Sequence, residues 1–419
     1  MNVLFVTHYI YMMGANRSML QLMLELREHG VNPIVLLPSH RLRKKHSEKT
    51  LVDYLEENGI SYIPAPFRMA KMSSTALTSA VYIYNHLRYP GILRKVTKHE
   101  IDLVHTNSSV TDIGAFLSRR LGVPHVWHLR EYGDLDYNLA VPFGRWFERR
   151  YFGGHNHFIA ISESIRNHYT DKIPENDISV IYNGIKVPET TDSKRPDNII
   201  NICIVGYITP QKRQLDVVKA IHQLSETYGP EQLHLYLVGR EVKSYADEIR
   251  QYISRHSLDK YVTFTGQIDD ICGFMQGMHI GVLSSASEAF GRVTVEYMMN
   301  SLAVIASDGG ASREIITEGV DGLLYPVGDI EALSSALASL IDTPTLMNSL
   351  ATRGHSMALA RFSSDANTAA ILAVYRNPRH YSTDNQEITP PPIKRTHENT
   401  TFSRDKCNRG SRFNSPLSG

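Results

Sequence analysis

Short apolar runs, many of them β-branched, recur along this chain, each ending at a polar or glycine turn and most giving way to apolar residues at helical spacing. The run 3–7 has the unbroken apolarity of a strand buried on both faces of a parallel sheet. Met19, Leu20, Met23, Leu24 and Leu26 then share one helical face, which His29 and Gly30 close with a C-terminal cap. A second strand is predicted at 31–37. The alternation continues through strands at 103–106, 123–128, 158–161 and 178–181 and a helix at 112–121. This is a βαβ series, and it predicts an α/β domain built on a parallel sheet.

The periodicity stops after Lys186, and residues 187–198 are polar and punctuated by Pro188 and Pro196, as a linker between domains is. A second series then opens. Its predicted strands are 199–205 ending in Gly206, 233–238 ending in Gly239, 262–264 ending in Gly266, 280–283 and 303–306. The organisation expected is an N-terminal domain over 1–186, the linker 187–198, a C-terminal domain over 199–360 and a closing helix over 361–376. Residues 377–419 lose all periodicity and read as a disordered, mildly basic tail, either simply solvated or a polybasic tether. Ligands of open parallel sheets sit outside the carboxyl ends of the strands, so two such domains face to face leave a cleft lined by these turns.

Composition narrows the class. A chain of 419 residues is too long for one ordinary core. With 42% hydrophobic and 21% charged residues it has the make-up of a folded enzyme, and a formal net charge of +1 gives no sign of a nucleic-acid partner. Cys203, Cys272 and Cys407 are widely spaced, with no disulfide or zinc pattern, which fits a cytoplasmic setting. No leader and no apolar stretch of about 20 residues is seen, so any membrane contact is expected to be peripheral, at the inner face.

The chemistry concentrates in the segment 284–296, which follows a predicted strand and runs into a helix. Its carboxylates, Glu288 and Glu296, are eight positions apart. A helix start near Gly291 or Arg292 leaves Glu288 in the preceding loop and Glu296 about one turn inside. Unpaired N–H groups at a helix N-terminus suit a diphosphate, Gly291 lets backbone approach it, and Thr294 can add a hydroxyl. A carboxylate in the loop can hold sugar hydroxyls and one in the helix a ribose. The competing reading is a helix cap and a solvated glutamate.

That segment has company. Ile202 to Gly206 followed by Lys212, Leu237-Val238-Gly239, Val262 to Gly266, Asp308-Gly309-Gly310 with Glu314, and Gly319 to Leu324 occur in order around it. With Gly14, Trp127 to Glu131, Ser162 and Tyr182-Asn183-Gly184 further upstream, residues 1–376 resemble the retaining GT-B glycosyltransferases of family 4. The resemblance implies two Rossmann-like domains facing an interdomain cleft, the first, 1–186, binding the acceptor and the second, 199–360, the nucleotide-sugar, with the last helix crossing back to the first domain. It implies a nucleotide-sugar donor, a glycan or lipid-linked acceptor, and neither metal nor cofactor. Carried over by position, Lys212 neutralises the leaving diphosphate, Glu288 holds the donor sugar and Glu296 the ribose. The backbone of Phe290, Gly291, Arg292, Val293 and Thr294 meets the sugar and distal phosphate, and Gly206, Gly239 and Gly266 line the nucleotide. Gly14 keeps the first turn open beside the sugar, and His128 reaches the sugar from the first domain, with His8 and His105 as rivals. The family commonly has an arginine where this chain has Tyr207, leaving Arg213 or Arg292 to replace its charge.

Other signals are weaker. Asp134-Leu135-Asp136 spells a metal-binding pattern of a different fold, but a polar turn in an irregular loop accounts for it equally. Ser162 lacks the glycines of a nucleophile elbow and suits an N-cap for a helix at 163–169. The basic run 41–45, and Arg88, Arg94, Lys95 and Lys98 beside Tyr82, Ile83, Leu87, Ile92 and Leu93, fit either an anionic-membrane face or an ordinary solvated helix. Two other functions stay open: a GT-B nucleotide-sugar epimerase, and a scaffold that keeps the fold without turnover.

Overall fold

The computed structural model describes residues 1–39, 49–69, 74–137, 140–154, 156–187 and 198–377. The basic run 41–45, most of the linker, Cys407 and the tail from 378 lie outside the described residues.

Among those residues the strands form two sheets, and every pairing is parallel. The first holds β1 (Asn2–Val6), β2 (Asn32–Pro38), β3 (Ser61–Ala65), β4 (Leu103–Thr106), β5 (His125–Leu129), β6 (Asn156–Ala160) and β7 (Ile178–Val180), in the order β3-β2-β1-β4-β5-β6-β7. The second holds β8 (Ile200–Val205), β9 (Leu233–Val238), β10 (Val262–Gly266), β11 (Ile280–Leu283), β12 (Ala303–Ser307) and β13 (Leu323–Tyr325), in the order β10-β9-β8-β11-β12-β13. Central strands are buried on both faces, as their unbroken apolarity requires: Val3 to Val6 in β1, and Ile202 and Cys203 in β8. The α/β architecture of two parallel sheets is therefore the one the hydrophobic pattern predicts, and their Rossmann-like form is the one the resemblance implies.

Two strands escape that pattern. β3 is an edge strand that carries Pro64, tolerated because an edge leaves one row of N–H groups unpaired. β13 is three residues long, too short to show a period. Asp134, expected in an irregular loop, instead opens a single helical turn, Asp134–Tyr137.

The strand order reverses between β1 and β4 in one sheet and between β8 and β11 in the other. Such reversals splay the connections apart and open a crevice at the carboxyl ends, which is where side chains can meet a ligand. Contacts between the halves are extensive. One apolar cluster joins Leu129, Tyr132 and Ile185 to Leu283, Phe290, Ile315 and Phe362. After the helix Pro344–Phe362, Ser363 bridges to Ile185, and the helix Ser364–Arg376 lays Ile371, Leu372, Val374 and Tyr375 into the core around β1.

Candidate functional site

At the reversal in the second sheet, β8 ends in Gly206 and the chain returns as one 3-10 turn, Pro210–Lys212. The Gly239 backbone crosses so close that a Cβ on Gly239 would collide with the Gly206 carbonyl, and both residues have positive φ. The loop after β11 is laced to this turn: Ser284 Oγ donates to the Lys212 carbonyl (2.6 Å), and Ala286 N to that of Gln211 (3.3 Å). The lacing brings Lys212 Nζ onto the Glu288 carboxylate, so two residues given separate roles by sequence share one ion pair. Gly309 and Gly310 fix this loop from below. A Cβ on Gly310 would strike the Glu288 backbone, and Ala311 N donates to Glu288 O (2.9 Å).

Gly291, at φ 80°, caps the helix Arg292–Met299, so Glu288 precedes the helix and Glu296 lies inside it. Phe290 is buried, its ring against Tyr182 and Phe362, and Val293 packs on the same cluster. Thr294 is fully buried, and its hydroxyl, which has no hydrogen-bond partner, lies beside the Gly291 turn.

The two arginines expected to stand in at Tyr207 are engaged elsewhere. Arg213 binds Asp216 (2.7 Å) and its guanidinium lies against Gly328. Arg292 binds Glu296 (2.7 Å) and reaches across the cleft to Ser18 Oγ (3.0 Å) and Gln21 Oε1 (3.3 Å) on the helix Gly14–Glu28. Neither meets Glu288. Glu296 therefore sits beside Arg292 between the halves, lining a small cavity of about 120 Å³ with Gln21, Cys272 and Asn300. Gly266 ends β10 with open space around its Cβ position.

In the first sheet, Gly14 is the first residue of its helix and also faces open space. His128, one residue before the end of β5, is buried within a polar chain. Arg130 donates from Nη2 to His128 Nδ1 (3.3 Å), and its other nitrogens donate to Asn107 (2.5 Å) and Asn183 (2.6 Å). A guanidinium has only donors, so His128 Nδ1 must accept. His105 Nε2, 3.1 Å from the same nitrogen, must then carry its own proton, and His105 Nδ1 accepts from the Tyr375 hydroxyl (2.7 Å). Burial, and after it the Arg130 charge, push both imidazoles well below their ordinary pKa, so both are neutral. Burial likewise brings Arg130 down to about 10. His128 is left as the Nε2–H tautomer, and that buried N–H has no partner. It is a donor awaiting an acceptor. The rival His105 is used up in holding it, and His8 stacks edge-on to Tyr9.

The halves are joined by residues that sequence reading undervalued. Ser162 caps the helix Glu163–Tyr169 by accepting from Ile165 N (3.1 Å) and donates to Ala289 O (2.6 Å) in the loop holding Glu288. Tyr132 donates to Glu288 O (3.4 Å). Glu314 accepts from the backbone N–H groups of Glu163 and Ser164 (both 2.7 Å), a carboxylate of the second half at a helix start of the first. Arg130, Asn183 and Glu314 all lie in the quoted motifs, but only the fold shows which atoms they hold. Asp134 is bound to His168 (2.8 Å).

Residues 200–343 match the family described as Glycosyl transferases group 1, and residues 12–188 that described as Glycosyltransferase Family 4. The chain belongs to this glycosyltransferase family. It is 28% identical over 280 residues to an uncharacterized glycosyltransferase of Methanocaldococcus jannaschii, covering 66% of this chain and 75% of the relative. It is 25% identical over 378 residues to the phosphatidyl-myo-inositol mannosyltransferase of Mycolicibacterium smegmatis, covering 86% of this chain and 89% of that protein. In fold, the glycosyltransferase resembles HepE of Anabaena, solved in complex with UDP, at a TM-score of 0.74 and 21% identity over 90% of this chain and 100% of that one. The fold is GT-B. No helix among the described residues is long and apolar enough to cross a membrane.

Proposed function

We propose that this glycosyltransferase moves a sugar, with retention, from a nucleotide-sugar donor to a hydroxyl of a glycan or glycolipid acceptor in the synthesis of a cell-surface polysaccharide. The observation that carries this reading is the Lys212–Glu288 pair, held at the reversal of the second sheet directly before a helix N-terminus. Lys212 meets the departing diphosphate, whose charge grows in the transition state, so the cation acts where it lowers the barrier rather than where it only tightens binding. Glu288, released from Lys212 by the phosphates, accepts sugar hydroxyls. Glu296 holds the ribose, and the N–H of His128 donates to a sugar oxygen. HepE was also solved in complex with UDP-glucose, and the mycobacterial relative is named for mannosyl transfer to a lipid, in keeping with such a donor and acceptor.

The test is a thermal-shift panel of UDP-, GDP-, dTDP- and ADP-sugars, followed by donor hydrolysis. One nucleotide should stabilise the wild type, Glu296→Ala should lose the shift, and Lys212→Ala should bind but turn over about 10²-fold more slowly. A wild type indifferent to every nucleotide sinks the reading. So does a Glu296→Ala variant that responds like the wild type.

Peripheral membrane contact belongs to the same reading. The helix Thr75–Val96 turns Tyr89, Ile92 and Val96 inward and exposes Ile83 and Leu87 beside Arg88, with Trp146 exposed nearby in sequence to the Phe143 and Phe147 rings that pack on Tyr82. Anionic liposomes at low salt should sediment the protein, and Leu87→Glu should leave it in the supernatant. Equal sedimentation of the two would remove the membrane from the proposal.

A further inference from the structure

A cavity of about 680 Å³ lies wholly in the first half, outside the donor residues discussed above. It opens over the carboxyl ends of β4 and β5, between the helix Thr75–Val96, the helix Arg145–Tyr151 and the helix Glu163–Tyr169. Its size is that of a small-ligand site. It borders the donor machinery through one side chain, because Tyr132 lines it and also donates to Glu288 O.

Its lining has a definite chemistry. Tyr82, Tyr132, Tyr151 and Phe152 supply aromatic surface. Asp112, Asp134, Glu148 and Asp171 supply four carboxyl groups, and among the described residues of the lining Lys172 is the only lysine or arginine, with His168 beside it. Lys172 already faces Glu148 (3.6 Å), and Asp112 is held by the Tyr89 hydroxyl (2.6 Å) with His86 at 3.4 Å. Separately, Thr111 lines the cavity with a hydroxyl that is buried and has no partner, the mark of a polar group meant for a ligand.

Aromatic faces beside carboxylates suit a polyhydroxylated, uncharged ring, whose C–H face stacks while its hydroxyls donate to the acids. A phosphate in the same place would face four carboxyl groups, of which Glu148 is met by Lys172 and Asp134 by His168, and like charges brought together out of water repel strongly. We propose that this cavity binds a neutral sugar unit of the acceptor and excludes a phospholipid head group. The proposal rests on the glycosyl-transfer reading above and names its acceptor class. It separates this chain from the mycobacterial relative named for phosphatidyl-myo-inositol.

Saturation-transfer NMR on the full chain tests it, with maltotriose, cellobiose and chitobiose as neutral probes and myo-inositol 1-phosphate as the anionic one. At least one neutral probe should receive saturation and the phosphate none. Thr111→Val and Tyr82→Ala should each weaken the neutral probe by about tenfold, the scale of one buried contact. Both variants should keep the nucleotide-induced thermal shift. Silence from all neutral probes overturns the proposal, as does stronger binding of the phosphate or neutral binding that ignores both variants. Sugar binding without any nucleotide shift would instead sink the donor assignment and leave this cavity's role standing.

Discussion

Tyr375 shows how far a single hydroxyl can reach. It lies on the last helix, yet it donates to His105, whose other nitrogen turns its proton to the His128 Nδ1 that Arg130 also engages. Removing the hydroxyl leaves a buried imidazole nitrogen unsatisfied, which costs about 1–3 kcal/mol. Moving the proton to His105 Nδ1 would leave a buried donor without an acceptor there and set two lone pairs face to face at His128. Tyr375→Phe should therefore lower the denaturant midpoint by that amount while ¹⁵N spectra still report His128 protonated at Nε2, because Arg130 continues to donate to Nδ1. A His128 signal showing protonation at Nδ1 in the wild type would break the chain at its first link. Lys212 and Glu288 are a different kind of pair. Lys212 is 37% exposed, so their ion pair adds little stability, and their place beside the helix start is a matter of chemistry rather than folding.

At the scale of elements, the glycines divide into those the backbone needs and those a ligand would need. Gly310 has φ 59° and touches the Glu288 backbone, so Gly310→Ala should push that loop away, costing about 1–3 kcal/mol together with nucleotide binding. Gly14 has ordinary backbone and open space, so Gly14→Ala should leave the melting temperature within a degree or so, since surface changes of this kind stay within about 0.5 kcal/mol. If Gly14 borders the donor sugar, the same variant should nonetheless lose turnover, and full activity would dismiss that role. This division also marks what the sequence could tell. β1, β8 and β11 announce themselves as apolar runs closed by turns, and the helix start at Gly291 follows from a glycine between a strand and a helical period. The union of Lys212 with Glu288, the service of Glu314 to the helix Glu163–Tyr169, and the diversion of Arg292 to Ser18 depend on loops brought together by the whole fold. No local period encodes them. The buried state of Thr294 was hidden for the same reason, since a first-turn threonine is exposed or covered according to what packs over it.

At the scale of the molecule, the first half is built around imidazoles that must stay neutral. His105, His125 and His128 are all buried near the β4–β5 pair. Burial lowers each of them, and His125, held between Thr106 Oγ1 (2.8 Å) and Asn156 Oδ1 (2.6 Å), falls to about 4. In the unfolded chain each returns to an ordinary value near 6.5. A group whose pKa is lower in the folded state binds protons more readily when unfolded, so its contribution is complete above about 6.5 and is lost as the pH falls toward the folded value. The expected outcome is a fall in unfolding free energy on acidification from pH 6.5 toward 4, by about 1.4 kcal/mol per pH unit for each histidine still neutral in the fold. Denaturant titrations at half-unit steps measure that slope directly. His125→Gln should lower stability at pH 7 yet make the acid limb shallower by one histidine's share, because glutamine takes no proton in either state. An acid limb of unchanged steepness in that variant would mean that His125 is protonated in the folded protein and that the cluster is not the acid-sensitive part of the molecule.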